Sequence, residues 1–190
     1  MRYLLILLLL LCSSCTQIFN DPEPVHYYLL ESLPDGTETI SDKSLAIDLQ
    51  ISGFPTYIDR AQVTERNHDN TIKFSYVDRW AEPLQENILQ TLRENLTALL
   101  PGAKISIGPW ENPIARAMKV ELRVKRFSGR LGDRTDVDIH WTILQNDETV
   151  GEGLLIDQQP IGATYQELVA GLNIGINNLS LELAKQLAEQ

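Results

Sequence analysis

Cysteine is scarce in this chain. Its 190 residues include two, Cys12 and Cys15. A framework of disulfides is therefore excluded, and so is a cysteine-rich metal site. Positive charge is also short. Sixteen Lys and Arg face 26 Asp and Glu, a formal net charge of −10. That balance argues against nucleic acid as a partner, and against a broad electrostatic grip on anionic lipid headgroups. Long apolar runs are missing beyond Leu4–Leu11, which is far below the roughly 20 residues needed to span a bilayer. There is no G-x-S-x-G, no H-E-x-x-H and no phosphate-cradling glycine loop. Carboxylates are plentiful but scattered, and the three histidines His26, His68 and His140 lie far apart in sequence. His140 sits between Asp138 and Thr142 on one strand face, and reads as an ordinary surface histidine. Neither an enzyme, nor a metal, nor a cofactor is indicated.

The start of the chain is informative. Met1-Arg2-Tyr3 is a short basic region, Leu4–Leu11 is an apolar core, and Cys12-Ser13-Ser14-Cys15 supplies small residues before a cleavage point. This is the pattern of a secretory leader covering residues 1–14. Ser13-Ser14-Cys15 resembles a lipobox, which implies acyl chains on Cys15 as the first mature residue. An ordinary leader cut nearby would leave Cys15 a free thiol, a liability in an oxidising compartment. Two or more acyl chains anchor a protein stably, where one does not. Residues 15–25 read as the lipidated Cys and a polar, Pro-containing tether. Thr16, in place of Asp, follows Cys15, which by the sorting rule for such lipoproteins implies the outer membrane, on its periplasmic face. Removing the leader takes Arg2 with it, and the net charge to −11.

Residues 26–190 read as a single globular domain of the α+β class, a two-layer sandwich of a mostly antiparallel sheet with two amphipathic helices. Tyr27-Tyr28-Leu29-Leu30 predicts a short strand. Leu45, Ile47, Leu49 and Ile51 alternate with polar residues as in a half-buried strand. Gln62–Arg66 and Thr71–Tyr76 predict a hairpin turning at His68-Asp69-Asn70. Pro83 suits the first turn of a helix, with Glu82 and Glu86 near its positive end. Leu84, Ile88, Leu92, Leu96 and Leu99 recur on its core face. Ala103–Ile107 predicts a further short strand.

In the second half Met118, Val120, Leu122 and Val124 alternate cleanly, and Gly129 and Gly132 mark a loop. Val137, Ile139, Trp141 and Ile143 form the next strand. Asn146-Asp147 fits a tight turn, because both residues tolerate positive φ. Thr149–Ile156 completes a three-stranded antiparallel meander. Thr164 and Glu167 form a capping box for a last helix with a stripe at Leu168, Leu172, Ile176, Leu179, Leu183 and Leu187. The stripe reads as core rather than as a lipid face. Lys119, Arg123, Lys125 and Arg126 read as a solvated face rather than a docking patch.

One string stands out: Val77-Asp78-Arg79-Trp80-Ala81-Glu82-Pro83-Leu84. It occurs with Tyr27-Tyr28-Leu29-Leu30, with Tyr57-Ile58-Asp59-Arg60-Ala61-Gln62, and with Glu94-Asn95-Leu96, in that family-like order along the chain. Together these resemble the ABC-type transport auxiliary lipoproteins of the PqiC type. The resemblance implies a non-catalytic outer-membrane lipoprotein serving an MCE-domain lipid-transport system, with an MCE-domain protein as partner. A stand-alone periplasmic module binding lipid or a small molecule is the alternative, and a homo-oligomer is left open. Asp78, Arg79, Trp80, Glu82 and Pro83 are the candidate residues, either structural or partner-binding. The sequence places them where a strand ends at Tyr76 or Val77 and a helix begins near Pro83. Trp80 is expected to plug the core beneath that helix, and Arg79 to pair with Asp78 or Glu82.

Overall fold

The computed structural model describes residues 23–108 and 117–190. The leader, Cys15 and most of the tether lie outside the described residues. Ten elements follow in chain order: β1 (His26–Tyr28), β2 (Ala46–Gly53), β3 (Gln62–Arg66), β4 (Ile72–Trp80), α1 (Leu84–Leu99), β5 (Lys104–Ile107), β6 (Met118–Arg130), β7 (Arg134–Gln145), β8 (Glu148–Asp157) and α2 (Tyr165–Ala188). The α+β class and the two helices agree with the sequence reading.

The described residues form a mixed sheet of eight strands. Strand β6 is its hub. One edge of β6 pairs antiparallel with β7 from Lys119↔Leu144 to Arg130↔Arg134, and β8 follows antiparallel on β7. The other edge is shared in sequence. Strand β2 runs parallel to β6 from Ile47↔Met118 to Gly53↔Arg123, and β3 meets it further on at Glu65↔Gly129, also parallel. Beyond β2 lies β5, parallel; beyond β3 lies β4, antiparallel, and then β1, parallel to β4. The antiparallel character expected of the sheet thus belongs to the β6–β8 meander and the β3–β4 hairpin. The other pairings are parallel. Gly129 is a buried strand residue of β6, and the loop comes after it, at Gly132, which has φ +76°. The predicted turn forms at Asn146 and Asp147, with φ of 53° and 65°.

Both helices cover one face of the sheet. All five stripe leucines and isoleucines of α1 and all six of α2 are buried, as are the alternating apolar residues of β6 and β7. They belong to one cluster with Ile47 and Leu49 of β2. The capping box on α2 forms: Glu167 N–H donates to Thr164 Oγ (3.2 Å) and Thr164 N–H donates to Glu167 Oε2 (3.1 Å). Helix α1 has no side-chain cap at Pro83, which occupies the N-cap position. Its other end is closed by the chain itself, since the amides of Ile40 and Ser41 donate to Leu99 O.

A buried polar stripe crosses the helix pair. Asn87, Thr91 and Asn95 recur every four residues on α1 and are all buried. Asn95 donates to Asn177 Oδ1 (2.8 Å) and Ser180 Oγ (2.9 Å) of α2. Its own Oδ1 accepts from Leu33 N–H (2.6 Å), while Asn87 accepts from Leu30 N–H (2.8 Å) and Asn173 from Glu31 N–H (2.7 Å). The extended chain after β1 is therefore held over both helices. Its backbone donors, which no sheet satisfies, are met by asparagine amides.

Candidate functional site

The first three family-like segments meet at one junction. Strand β1 pairs with β4 in the register His26↔Asp78, Tyr27↔Arg79 and Tyr28↔Trp80. On the other side Gln62 of β3 pairs with Arg79. Backbone bonds extend the contact past the strand ends: Trp80 N–H donates to Ala61 O (2.7 Å) and Ala81 N–H to Tyr28 O (2.9 Å). The fourth segment contributes Asn95, the centre of the buried polar stripe.

Strand β4 continues to Trp80, beyond the end at Tyr76 or Val77 that the sequence suggests. The cause is a bulge. Between the pairs Thr64↔Phe74 and Gln62↔Arg79, β4 uses three more residues than β3. Ser75 pins the bulge: its Oγ accepts from Asp78 N–H (2.9 Å) and Val77 N–H (3.3 Å), and its hydroxyl donates to Asp78 Oδ2 (2.7 Å). Tyr76 projects from this bulge, 90% exposed.

Asp78 is buried and holds β1. Its Oδ1 accepts from the Tyr28 hydroxyl (2.9 Å) and lies 3.2 Å from His26 Nδ1. Burial alone would raise the carboxyl's pKa, but hydrogen bonds from Ser75, Tyr28 and His26 outweigh it and hold the group below its ordinary value. The same environment pushes Tyr28 up to about 12, through burial first and its bond to Asp78 second.

Trp80 lies on the core side, 5% exposed, with its ring centroid 6.4 Å from that of Phe127. It is the plug expected of it. Glu82 and Pro83 are exposed at the helix start, and Leu84 is buried. Arg79 departs from expectation. It forms no ion pair with Asp78 or Glu82, because Asp78 is already committed to Tyr28, His26 and Ser75. It faces away from Trp80, as neighbouring strand residues do.

On that outer face Arg79 lines a cleft of about 530 Å³ together with Arg60, Lys73, Phe74, Ser75 and Tyr76. The Arg60 guanidinium carbon sits 3.7 Å from the centroid of the Phe74 ring. Lys73 Nζ lies 3.4 Å from Glu65 Oε2. A second hollow, of about 340 Å³, adjoins it at Arg60 and reaches Glu82 and Pro83. Arg60 and Phe74 were not singled out by sequence. The available signal was Arg60 inside its own family-like segment, and the contact depends on the bulge.

Elsewhere, Lys119, Arg123, Lys125 and Arg126 are exposed on the open face of the sheet. Lys125 and Arg126 point outward together because the register shifts between Val124 and Arg126. Lys119 pairs with Asp147 at 2.9 Å. His26, His68 and His140 each lie near a different aspartate: Asp78, Asp133 and Asp138. Among the described residues no group of His, Cys, Asp or Glu is arranged to hold a metal, and no helix is long and apolar enough to cross a membrane.

The family described as "ABC-type transport auxiliary lipoprotein component" matches residues 27–184. No curated protein matches the chain. Among solved structures, a crystal structure of an uncharacterized protein is similar with a TM-score of 0.73 at 19% identity, over 86% of this chain and 98% of that one. The crystal structure of a Xanthomonas campestris protein is similar with a TM-score of 0.65 at 13% identity, over 86% of this chain and 93% of that one. At these identities the two neighbours establish a shared fold.

Proposed function

Because the chain belongs to the family of ABC-type transport auxiliary lipoprotein components, we propose that it is a non-catalytic accessory and docking component of an MCE-type system moving lipid between the inner and outer membranes. In this reading Cys15 carries the acyl chains, and the domain sits at the periplasmic face of the outer membrane. The observation that carries the proposal is the extent of the family match, which runs from β1 to the last turns of α2. The tether adds a physical constraint. From Thr16 to Val25 it reaches at most about 33–36 Å, so the domain works close to the surface that holds its anchor.

A stand-alone lipid carrier would need an apolar cavity between sheet and helices. Leu92, Leu96, Leu122, Ile139 and Ile176 are fully buried in one cluster there, which favours a docking role over a carrying one.

Two measurements test the proposal. Mass spectrometry of the mature N-terminus should find an acylated Cys15, and Cys15→Ala should leave a soluble or leader-retained protein. Isolation of the tagged protein from membranes should bring with it an MCE-domain protein. An unmodified Cys15 defeats the anchor, and the absence of any MCE protein defeats the docking role.

A further inference from the structure

Of Asp78, Arg79 and Trp80, which close β4, Arg79 is the one the fold leaves unused. Asp78 holds β1, Trp80 fills the core, and Pro83 and Leu84 begin α1. Arg79 Nε is buried and has no hydrogen-bond partner. Among the described residues its guanidinium enters no ion pair. A buried, unmet donor on a cation is costly, and an anion in the cleft beside the same guanidinium would offset that cost through its charge.

The cleft around it is built for one. Its lining includes Arg60, Lys73 and Arg79 and no carboxylate, a local reversal of sign in a chain of net charge −10. Stacking on Phe74 fixes the Arg60 guanidinium by its face and leaves its in-plane N–H edge free. Lys73 is partly committed to Glu65, so two guanidinium forks remain. Two forks in one concave site suit an oxyanion with three or more oxygens better than a carboxylate, which a single fork satisfies. The surroundings are amphipathic. Tyr76 stands at the rim, and Tyr27, 65% exposed, shares the sheet face of Arg79 through their pairing. Aromatic tips beside cations are the chemistry of a lipid–water boundary.

We propose that the Arg60–Arg79 cleft binds a phosphate group, and that its source is a phospholipid headgroup. The phosphate chemistry stands on the cleft alone. The choice of a lipid source rests on the membrane anchoring proposed above, which mass spectrometry of Cys15 tests separately.

The test uses the full mature protein in a neutral detergent. Calorimetric titrations with inorganic phosphate and with glycerol 3-phosphate, the acyl-free headgroup of phosphatidic acid, are compared. Both probes bind at one site, the headgroup more tightly. Arg79→Gln and Arg60→Gln each weaken binding about tenfold or more, the worth of one charge-assisted bond. Lys104→Gln, the same loss of charge on β5 at the opposite edge of the sheet, changes it less than about twofold, as expected of a screened distant charge. Thermal melts confirm that the variants fold; Arg60 is exposed, so its replacement leaves the core untouched. Inorganic phosphate binding as tightly as the headgroup overturns the lipid source. Binding of neither probe, or equal weakening in all three variants, overturns the site. So does Arg79-dependent capture of a transport protein without phosphate binding, which would make the cleft a dock for protein carboxylates.

Discussion

Removing the Asp78 carboxylate by Asp78→Ala should release β1 from the rest of the sheet. Asp78 is 7% exposed and accepts from Tyr28 at 2.9 Å, from Ser75 at 2.7 Å and from His26 at 3.2 Å. Bonds to a charged acceptor are worth about 1.5–3 kcal/mol each. The His26 side chain is half exposed and recovers water when the carboxylate goes, so two bonds count. Part of their worth is returned because the variant buries no charge. The net loss is about 2–4 kcal/mol. It should be felt locally, since β1 is a three-residue strand that, among the described residues, pairs with β4 alone. Hydrogen exchange in peptides covering residues 26–28 and 79–81 should quicken by about two orders of magnitude, for a loss near 3 kcal/mol. Acid supplies a second arm. A carboxyl held below its ordinary value stabilises the fold above the unfolded pKa, about 3.9, and that stability is lost as pH falls through the folded value. Wild-type protection of β1, corrected for intrinsic rates, should therefore decline below about pH 4, and the Asp78→Ala profile should lack that step. Equal exchange of residues 26–28 in variant and wild type would refute the reasoning.

Three further outcomes follow from the core. Trp80→Ala should cost about 3–5 kcal/mol in denaturant unfolding at unchanged slope, the range for a buried aromatic. Asn95→Ala should cost about 2–4 kcal/mol, because it strands the Leu33 amide and two helix-borne polar groups; exchange of the Leu33 amide and equilibrium unfolding both report it. Gly153→Ala should destabilise by about 1–3 kcal/mol, since its methyl would collide with the Trp141 indole across the β7–β8 pair; a shift in near-ultraviolet circular dichroism from that indole checks it.

The elements legible in the sequence are those whose partners lie nearby. Strands β6 to β8 alternate because one face is wet, and their turn is written in Asn146-Asp147. Both helical stripes face the core as read, since leucine spacing alone defines an apolar face. Parallel pairing leaves no comparable local mark: nothing in Ala46–Gly53 states that its neighbour is Met118–Arg123. The bulge at residues 75–78 breaks the two-residue period, so the strand looks finished before Trp80. In the string, the burial of Trp80 could be anticipated from its place before a helix. The company of Arg79 could not, because Arg60 and Phe74 reach it only through tertiary pairing. The Asn87, Thr91 and Asn95 stripe was visible as a four-residue spacing. Its meaning depended on an extended segment with no sheet partner of its own.

The hub position of β6 governs the order in which the molecule can assemble. A chain made N-terminus first presents its β3–β4 hairpin early, and β1 can settle on β4. Strand β2 has no such option on its β6 side, for Ile47 must wait for Met118, 71 positions later. Until residues 118–130 appear, no strand among the described residues joins β2 and β5 to β3, β4 and β1, and the two branches meet only through α1. The apolar faces of both branches, with Ile47, Leu49 and Val63 among them, stay only partly covered for that interval, because α2 is still to come. The meander, by contrast, is made of consecutive strands and closes quickly once present. Proteolysis and aggregation therefore threaten the nascent chain until β6 joins the two branches and α2 covers their shared apolar face.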